Sequence, residues 1–281
     1  DCLPGISYLG TYDAIGNVLD RQNPDEVVIA LEADEYTYLQ SIIASSEKNG
    51  VKVSLIPFYN KFMPSRPSID EIGDVSLVNL RHIPLDNIGN AFLKRAMDII
   101  GSLILIIFTS PLMLFAAVGV KLSSPGPILF KQERVGLNKK PFYMYKFRSM
   151  AVQSAAKEKS QWTTPGDPRV TPIGRFIRKT SIDELPQLFN VLKGDMSLVG
   201  PRPERPFFVE KFKEEIPRYM IKHQVRPGMT GWAQVNGYRG DTSITKRIEH
   251  DLYYIENWTL GFDFKIMFLT VFKGFINKNA Y

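Results

Sequence analysis

The chain has one cysteine, Cys2, and only three histidines among its 281 residues. A single cysteine excludes a disulfide framework within the chain and any metal site built from several thiolates. The histidines, His82, His223 and His250, are scattered and lack the close spacing of a histidine metal site. We therefore interpret them as ordinary surface or core residues, in a protein suited to a reducing compartment.

Several short motifs that identify common enzyme classes are also missing. The sequence contains no G-x-G-x-x-G fingerprint, no Walker A segment, no serine elbow and no D-x-D triplet. These absences argue against a dinucleotide-binding epimerase or dehydratase, a P-loop NTPase, a serine hydrolase and a D-x-D-type glycosyltransferase. No signal peptide opens the chain, which starts at Asp1 rather than Met. We expect a piece of a longer protein.

Positive charge is in excess. There are 35 Lys and Arg residues against 29 Asp and Glu residues, which gives a formal net charge of +6. A basic balance suits nucleic acid, anionic lipid or phosphate-rich small molecules, and charge alone does not separate these. Hydrophobic residues make up 44% of the chain, so it can build a folded core, with room for two modest domains.

The N-terminal part alternates between strand and helix patterns. Residues 26–31 form a short apolar run typical of a buried parallel strand, residues 36–49 have helical spacing, and residues 51–57 form a second strand. Strand, helix and strand predict a β-α-β unit. Without a glycine-rich fingerprint, we interpret this part as a structural or regulatory α/β piece.

The largest change in composition follows residue 96. Residues 99–120 contain no charged side chain. A helix rises about 1.5 Å per residue, so this length reaches across a bilayer core of roughly 30 Å. A soluble core helix this long and this apolar is uncommon. We therefore expect the segment to enter a membrane.

Two features favour a helix that bends and returns over a straight span. Pro111 lies near the middle and removes a backbone hydrogen bond, while the Ser110 hydroxyl can satisfy a freed carbonyl. Basic residues flank both ends, including Lys94 and Lys121, and basic flanks prefer the cytoplasmic side. A re-entrant helix over about 93–122, kinked at Ser110 and Pro111, places both flanks there.

The remaining elements are shorter. Residues 128–132 and 142–147 alternate like short strands around Gly136 and Asn138. Residues 262–277 are rich in apolar side chains with interspersed lysines. They predict an interfacial helix, although a buried core helix fits the same pattern almost as well.

The densest group of chemically useful side chains surrounds the adjacent carboxylates Asp183 and Glu184. The basic residues near them in sequence are Arg175, Arg178, Lys179, Lys193, Arg202 and Arg205. Arginine binds phosphate in a bidentate manner and keeps its charge. This cluster therefore predicts a site for a phosphate-bearing substrate.

The carboxylate pair also has a purely structural interpretation. Ser181 and Glu184 match an S-x-x-E capping box, and acids in a first helical turn suit the helix dipole. Pro186 argues against it, because with Ser181 as N-cap this proline would be the fifth helical residue. A helix that starts nearer Asp183 places Pro186 in the tolerated first turn and Asp183 where backbone N–H groups can hold phosphate.

Several blocks of the sequence resemble the bacterial sugar transferases that act on polyprenyl phosphate, the monotopic phosphoglycosyl transferases. They lie between Lys94 and about Phe275, and the central block is highly specific. The blocks are Lys94-Arg95 with Asp98, Ser110-Pro111, KFRSM at 146–150, SIDELPQL at 181–188, NVLKGDMSLVGPRP at 190–203 and PGMTGWAQVNG at 227–237.

The resemblance implies a fold and a location. Residues 85–281 would form a mainly α, α+β catalytic domain with interfacial amphipathic helices, monotopic on the cytoplasmic face of the bacterial inner membrane. Residues 1–84 resemble the end of the Rossmann-like, CoA-binding-like domain of larger members. Those members also carry N-terminal transmembrane helices.

The resemblance also implies a reaction. Asp183 would attack the β-phosphate of a UDP-sugar, release UMP and form a sugar-phosphoryl aspartate, which undecaprenyl phosphate then cleaves. Glu184 matches the family's Mg²⁺-associated acid. The reaction would be the first membrane step of exopolysaccharide, capsule or O-antigen synthesis, with no nucleic-acid partner.

The predicted substrate-binding residues combine resemblance with charge. They are Lys146, Arg148, Arg178, Arg202, Arg239 and Asp251. Asp251 is a weaker match, and the spacing around Arg239 differs from that of the shortest members. The sugar, with glucose and galactose favoured by resemblance, and any homo-oligomer stay open. A membrane-anchored scaffold without activity is the rival interpretation, and UMP release from a UDP-sugar separates the two.

Overall fold

The computed structural model describes residues 7–59, 67–73, 75–79, 81–150, 169–238 and 242–274. The chain divides into two compact units, Asp1–His82 and Ile83–Tyr281. The sequence placed a domain boundary after residue 84. Each unit has its own buried apolar cluster.

The N-terminal unit contains the predicted β-α-β arrangement. Its helices and strands are α1 (Ile15–Gln22), β1 (Glu26–Ala30), α2 (Leu39–Lys48), β2 (Lys52–Ile56), β3 (Ser68–Ile72) and β4 (Val75–Asn79). β1 and β2 pair in parallel, which confirms the β-α-β prediction, and β3 pairs antiparallel with β4. Within the described residues, these two-stranded sheets do not confirm a Rossmann-like fold.

The longest element of the C-terminal unit is α3 (Ile88–Ser123). It begins at Asn87, whose side chain accepts hydrogen bonds from the N–H groups of Gly89 and Asn90. Only 11% of its most apolar 18-residue window is buried. The core helix of a soluble protein would be mostly buried, so this exposed apolar surface is typical of a membrane-associated helix.

Pro111 lies inside α3 and does not end it. A proline cannot donate to the carbonyl four residues earlier, which here belongs to Ile107. The Ser110 hydroxyl donates to that carbonyl at 2.8 Å. This confirms that Ser110 satisfies the carbonyl freed by Pro111; the re-entrant path stays a prediction.

Polar contacts hold the first part of α3 against the rest of the unit. Lys94 Nζ lies 2.7 Å from Asp263 Oδ2 and donates to the Val199 carbonyl at 3.1 Å. Asp98 Oδ1 accepts from the backbone N–H of Leu198 at 3.0 Å. Lys94, Asp98 and Asp263 are all buried. Ion pairs removed from water in this way fix the geometry of the helix they join.

Apolar contacts hold the last part of α3. Ala116 and Val120 are fully buried in a cluster with Phe147, Ile177 and Ile182. Both ends of α3 therefore contact one folded unit, as a helix that returns to its starting side requires.

The rest of the unit surrounds two small sheets. β5 (Leu129–Val135) and β6 (Pro141–Phe147) are the two predicted strands and pair as an antiparallel hairpin, while β7 (Ser197–Val199) and β8 (Gly228–Thr230) pair in parallel. The remaining helices are α4 (Pro172–Lys179), α5 (Gln187–Lys193), α6 (Pro206–Glu215), α7 (Trp232–Val235), α8 (Ile244–Glu256) and α9 (Leu260–Gly274).

α9 has features of both predictions made from its sequence, an interfacial helix and a buried core helix. Asp263 and Ile266 are completely buried, whereas Phe264, Phe268 and Phe272 are more than half exposed. One face therefore belongs to the core and the other presents aromatic side chains at the surface. Residues 275–277 of the predicted helix lie outside the described residues.

Two backbone segments cross closely beside the β7–β8 pair. A Cβ atom on Gly228 would lie 2.0 Å from the Gly200 nitrogen, and one on Gly200 would lie 2.5 Å from the Arg226 carbonyl oxygen. Only glycine fits at these positions. The crossing brings the turn after Gly200, with Arg202, against residues 228 and 229.

Candidate active site

A small depression opens in the C-terminal unit. Its lining residues are Arg134, Met144, Lys146, Glu184, Gln187, Arg202, Pro203, Gly228 and Met229. Three cationic side chains and one carboxylate face it, so the local charge is positive. A pocket of this sign attracts anions such as phosphate groups.

The carboxylate pair lies on a short 3-10 turn, Ile182–Glu184. Ser181 precedes the turn with a positive φ of 56° and, within the described residues, its side chain makes no capping hydrogen bond. The capping-box interpretation is therefore wrong. A separate helix, α5, begins after Pro186, which occupies the N-cap position. There the missing proline N–H costs no helical hydrogen bond.

The two adjacent carboxylates face different surroundings. Glu184 lines the pocket. Asp183 is buried, with 8% of its surface exposed, and is not among the described residues that line the pocket. Its predicted role as nucleophile stays a prediction, and it requires the carboxylate to reach the phosphorus atom of a bound substrate.

Lys146 forms an ion pair with Glu184 across the pocket wall. Lys146 Nζ lies 2.7 Å from Glu184 Oε1, and each side chain is 18% exposed. Partial burial strengthens such a pair relative to one in open solvent. An incoming phosphate would compete with Glu184 for the ammonium group.

Arg202 also lines the pocket, at the turn that follows the glycine crossing. Its Nη1 donates to Gln234 Oε1 at 3.3 Å, which is long for a hydrogen bond to a charged donor. The pocket therefore brings together three side chains that the sequence singled out, namely Lys146, Glu184 and Arg202.

Two further residues, Arg178 and Arg239, were predicted to contact the substrate. Arg178 occupies the last turn of α4, is half-buried and, among the described residues, does not line the pocket. Arg239 falls outside the described residues. Their assignments stay predictions.

Arg148 is placed differently from the predicted phosphate contact. Its guanidinium donates to the carbonyls of Val120, Ser124 and Pro125 at distances of 2.7–3.2 Å, and the residue is 5% exposed. These carbonyls belong to the C-terminal end of α3, where a cation is favoured by the helix dipole and the unpaired carbonyls. No local sequence signal distinguishes this role, because it depends on a contact across 28 residues.

Asp251 lies in a second charged group, outside the pocket lining. It is 1% exposed, and its Oδ2 lies 3.7 Å from Lys222 Nζ. Burial raises the pKa of Asp251 to about 6, although the nearby charges of Lys222 and Arg247 oppose the shift. The described geometry does not bring Asp251 to the pocket.

Arg134 lines the pocket but does not stand out in the sequence. Strand alternation was the available signal, because residues 130, 132 and 134 of β5 pair with 146, 144 and 142 of β6. Arg134 and Lys146 therefore share a face of the hairpin. The two strands were predicted, but their pairing and register were not.

The residues at the pocket suit an oxygen-binding cation. Among the described residues, no cluster of three or more His, Cys, Asp or Glu side chains is arranged for a metal. Mg²⁺ does not need one, since it is commonly bound by one or two carboxylates together with water and substrate phosphates. Glu184, beside Asp183, provides this type of ligand.

Comparison with protein-family models matches residues 89–277 to the bacterial sugar transferase family. The match covers the whole pocket and most of α3, so the chain belongs to this family.

Individual relatives agree with the family match. The chain is 44% identical over 259 residues to the UDP-glucose:undecaprenyl-phosphate glucose-1-phosphate transferase of Escherichia coli (strain K12), covering 91% of this chain and 55% of the relative. It is 49% identical over 223 residues to the UDP-N-acetylgalactosamine-undecaprenyl-phosphate N-acetylgalactosaminephosphotransferase of Aeromonas hydrophila, covering 77% and 52%. The chain thus spans about half the length of these curated relatives.

A shorter relative is covered almost completely. The exopolysaccharide production protein PSS of Rhizobium leguminosarum bv. phaseoli is 46% identical over 186 residues, which cover 64% of this chain and 93% of the relative. The shared part is therefore long enough to make up nearly all of another family member.

Proposed function

We propose that this chain transfers a sugar 1-phosphate from a UDP-sugar to undecaprenyl phosphate and releases UMP. The observation that carries the proposal is the cationic pocket around Glu184, one residue from Asp183. The names of the relatives support it, because they specify a UDP-sugar donor and undecaprenyl phosphate as the acceptor.

Phosphate binding falls to the cations of the pocket. Lys146 and Arg202 face the same depression from different elements, β6 and the turn after Gly200. Charge-assisted hydrogen bonds to phosphate oxygens are among the strongest available to a protein. A diphosphate that reaches Lys146 displaces Glu184 from its ion pair and leaves that carboxylate available to Mg²⁺. Bound Mg²⁺ supplies neutralisation of charge on the diphosphate.

The transfer proceeds in two displacements at one phosphorus atom. An Asp183 carboxylate oxygen attacks the β-phosphorus of the UDP-sugar, the bond from that phosphorus to the bridging oxygen breaks, and UMP leaves with the electron pair. A phosphate oxygen of undecaprenyl phosphate then attacks the same phosphorus. The acyl phosphate bond breaks, and the Asp183 carboxylate is restored.

The acceptor is a lipid, so the site must lie at a membrane surface. α3 carries the exposed apolar surface, and both of its ends contact the unit that holds the pocket. We propose that α3 enters from the cytoplasmic face and returns to it through the bend at Ser110 and Pro111. Reporters of sidedness fused before and after α3 test this path: reporters on opposite faces contradict it.

Intact mass measurement tests the covalent step. The protein is incubated with UDP-glucose and Mg²⁺ in the absence of lipid, and the wild type is expected to gain the mass of a hexose phosphate. Asp183→Asn should gain none, whereas Glu133→Gln, an acid-to-amide change at an exposed site on β5, should behave as the wild type. Turnover by a wild type that never gains this mass indicates direct displacement. Absence of UMP release favours the non-enzymatic scaffold.

A further inference from the structure

Arg134 presents a buried and incompletely bonded guanidinium to the pocket. Its side chain is 12% exposed, and its Nη1 donates to the Pro203 carbonyl at 2.9 Å. Nη2 donates to Gln132 Oε1, and Nε is buried without a hydrogen-bond partner in the described structure. A guanidinium has five N–H donors, so two Nη hydrogens remain for another acceptor, while the Nε hydrogen is buried. Buried donors are normally satisfied, and Arg134 is the arginine with an unsatisfied Nε that also lines the pocket in the described residues.

Among the residues that the structure describes, no carboxylate lies within hydrogen-bond distance of Arg134. The nearest ion-pair partner in the described residues is Glu204, whose Oε2 lies 3.9 Å from Arg134 Nη1, beyond hydrogen-bond distance. Burial lowers the pKa of Arg134 to about 10, with Glu204 and Glu184 opposing the shift and Arg202 and Arg205 adding to it. The group therefore stays protonated at neutral pH.

Glu204 is turned towards a different arginine. Its Oε1 accepts from Arg247 Nη1 at 2.9 Å, and both side chains are almost completely buried. The Glu204 carbonyl accepts from the backbone N–H of Val135, the residue after Arg134, at 3.0 Å. Glu204 is thus bound on one side to α8 and on the other to the end of β5. This arrangement fixes where Arg134 leaves the strand and holds a negative charge behind its guanidinium.

We propose that Arg134 binds a substrate phosphate group in this pocket, and that Glu204 and Arg247 are positioning residues that hold its guanidinium towards it. The inference rests on the proposed transfer function. Both the donor diphosphate and the lipid acceptor offer the same phosphate chemistry, and separate half-reactions distinguish them. A purely structural Arg134 would only fasten the Pro203 turn, so its loss would change folding without changing phosphate affinity.

The first experiment compares Arg134→Gln and Arg134→Lys with Lys131→Gln, which removes a positive charge from an exposed position on the same strand. The full chain in lipid nanodiscs is assayed for UMP release with UDP-glucose, and for binding of UDP by calorimetry. We expect Arg134→Gln to lower kcat/KM for the substrate whose phosphate it binds by about 10- to 100-fold, since a hydrogen bond to a charged group is lost. UDP affinity should fall by a similar factor when that phosphate belongs to the donor and should stay unchanged when it belongs to the acceptor. Arg134→Lys should lose less, and Lys131→Gln should stay within about twofold of the wild type.

Measuring the two half-reactions separately shows which substrate's phosphate Arg134 binds. A slower burst of UMP without lipid identifies the donor diphosphate, and slower transfer from preformed adduct to undecaprenyl phosphate identifies the acceptor. Unchanged kinetics and UDP affinity in folded Arg134→Gln overturn the inference. Loss of activity with unchanged UDP affinity and a matching loss of folded protein also overturns it. A wild type that binds UDP through Arg134 but releases no UMP contradicts the proposed function alone.

A double-mutant cycle tests the positioning role. If Glu204 acts through Arg134, Glu204→Gln lowers kcat/KM, but the Glu204→Gln, Arg134→Gln double variant is no worse than Arg134→Gln. If the double variant instead shows the product of the two single-variant losses in kcat/KM, the positioning role is contradicted. Full activity of a folded Glu204→Gln variant contradicts it as well. Removing this buried charge can prevent folding by leaving Arg247 unpaired. In that event Glu204→Asp replaces it in the cycle, with the same two outcomes.

Discussion

Lys146 Nζ and Glu184 Oε1 lie 2.7 Å apart, although the sequence assigns the two side chains to separate tasks. The pair joins strand β6 to the turn that carries Asp183. Under the proposed function, a substrate phosphate and a cation would replace the two partners of this ion pair. The first prediction concerns this exchange.

Lys146→Gln should lower kcat/KM for the UDP-sugar by about 10- to 100-fold, because a charged phosphate contact is lost. Each partner is 18% exposed, so unfolding stability should change by only about 1 kcal/mol. Steady-state UMP release and thermal unfolding measure the two effects. Lys139→Gln, at an exposed position in the hairpin turn, is the matched control. Equal activity of the two variants would contradict the assignment of Lys146.

Lys94→Met should destabilise the C-terminal unit strongly. The change leaves the buried carboxylates of Asp98 and Asp263 without their cation, and losing one partner of a buried pair typically costs about 3–5 kcal/mol. Denaturant unfolding in detergent measures it, with Lys121→Met, an exposed site on the same helix, as control. Equal free energies of unfolding for these two variants would show that the ion pairs of Lys94 do not stabilise the fold.

Ser110→Ala should destabilise α3, whereas Thr109→Val should change it less. The Ser110 hydroxyl donates to the Ile107 carbonyl, which Pro111 leaves without its helical N–H. The Thr109 hydroxyl donates to the Leu105 carbonyl, which Thr109's own N–H can already serve in the helix. We expect a loss of about 1 kcal/mol for Ser110→Ala, measured by unfolding in a defined bilayer. The reverse order of the two variants would contradict this explanation.

The pH dependence of stability should change in Asp251→Asn. The pKa of Asp251 is raised to about 6 in the folded protein by burial. The unfolded carboxyl has a pKa of about 3.9, so between about pH 4 and pH 6 the folded state binds the extra proton and stability falls as pH rises. Asp251→Asn should therefore gain stability relative to the wild type from pH 4 to pH 7. A difference that stays constant across this range would rule out the raised pKa.

Titration of His223 changes the folding stability in the same pH range but in the opposite direction. Burial and the charge of Lys222 lower the pKa of His223 to about 4, so the unfolded state binds more protons between about pH 4 and pH 6.5. This contribution to stability is lost as pH falls. The Asp251 effect must therefore be taken as the difference between wild type and Asp251→Asn at each pH.

Elements that are formed mainly by interactions between residues close in sequence could be predicted from the sequence. The apolar run at residues 26–31 and the second strand at 51–57, in a β-α-β order, predicted the parallel pair β1–β2. The alternation of residues 128–132 and 142–147 predicted strands β5 and β6. The hydrogen bond from the Ser110 hydroxyl to the carbonyl that Pro111 leaves free was also predictable, because its donor and acceptor lie within one helical turn. In each case the interacting groups are close in sequence or repeat with the period of the element.

The remaining features depend on contacts between distant segments. Arg134 faces Lys146 because of the hairpin register, and Arg148 reaches the carbonyl of Val120 across the space between two elements. Nothing near either arginine in the sequence separates a phosphate ligand from a helix cap. The sequence favoured a helix that starts near Asp183 over a capping box at Ser181, and neither forms. The carboxylates lie on a 3-10 turn and α5 begins only after Pro186, because a 3-10 turn competes with a helix over so few residues.

Strand β6 ends at Phe147, between Lys146 at the pocket and Arg148 at the end of α3. In an extended chain the Cα atoms of Lys146 and Arg148 lie about 7 Å apart. The end of the apolar helix and the lysine at the pocket are therefore closely connected. With α3 held in lipid as proposed above, the level of this end of the helix would set the height of the proposed phosphate site above the headgroups.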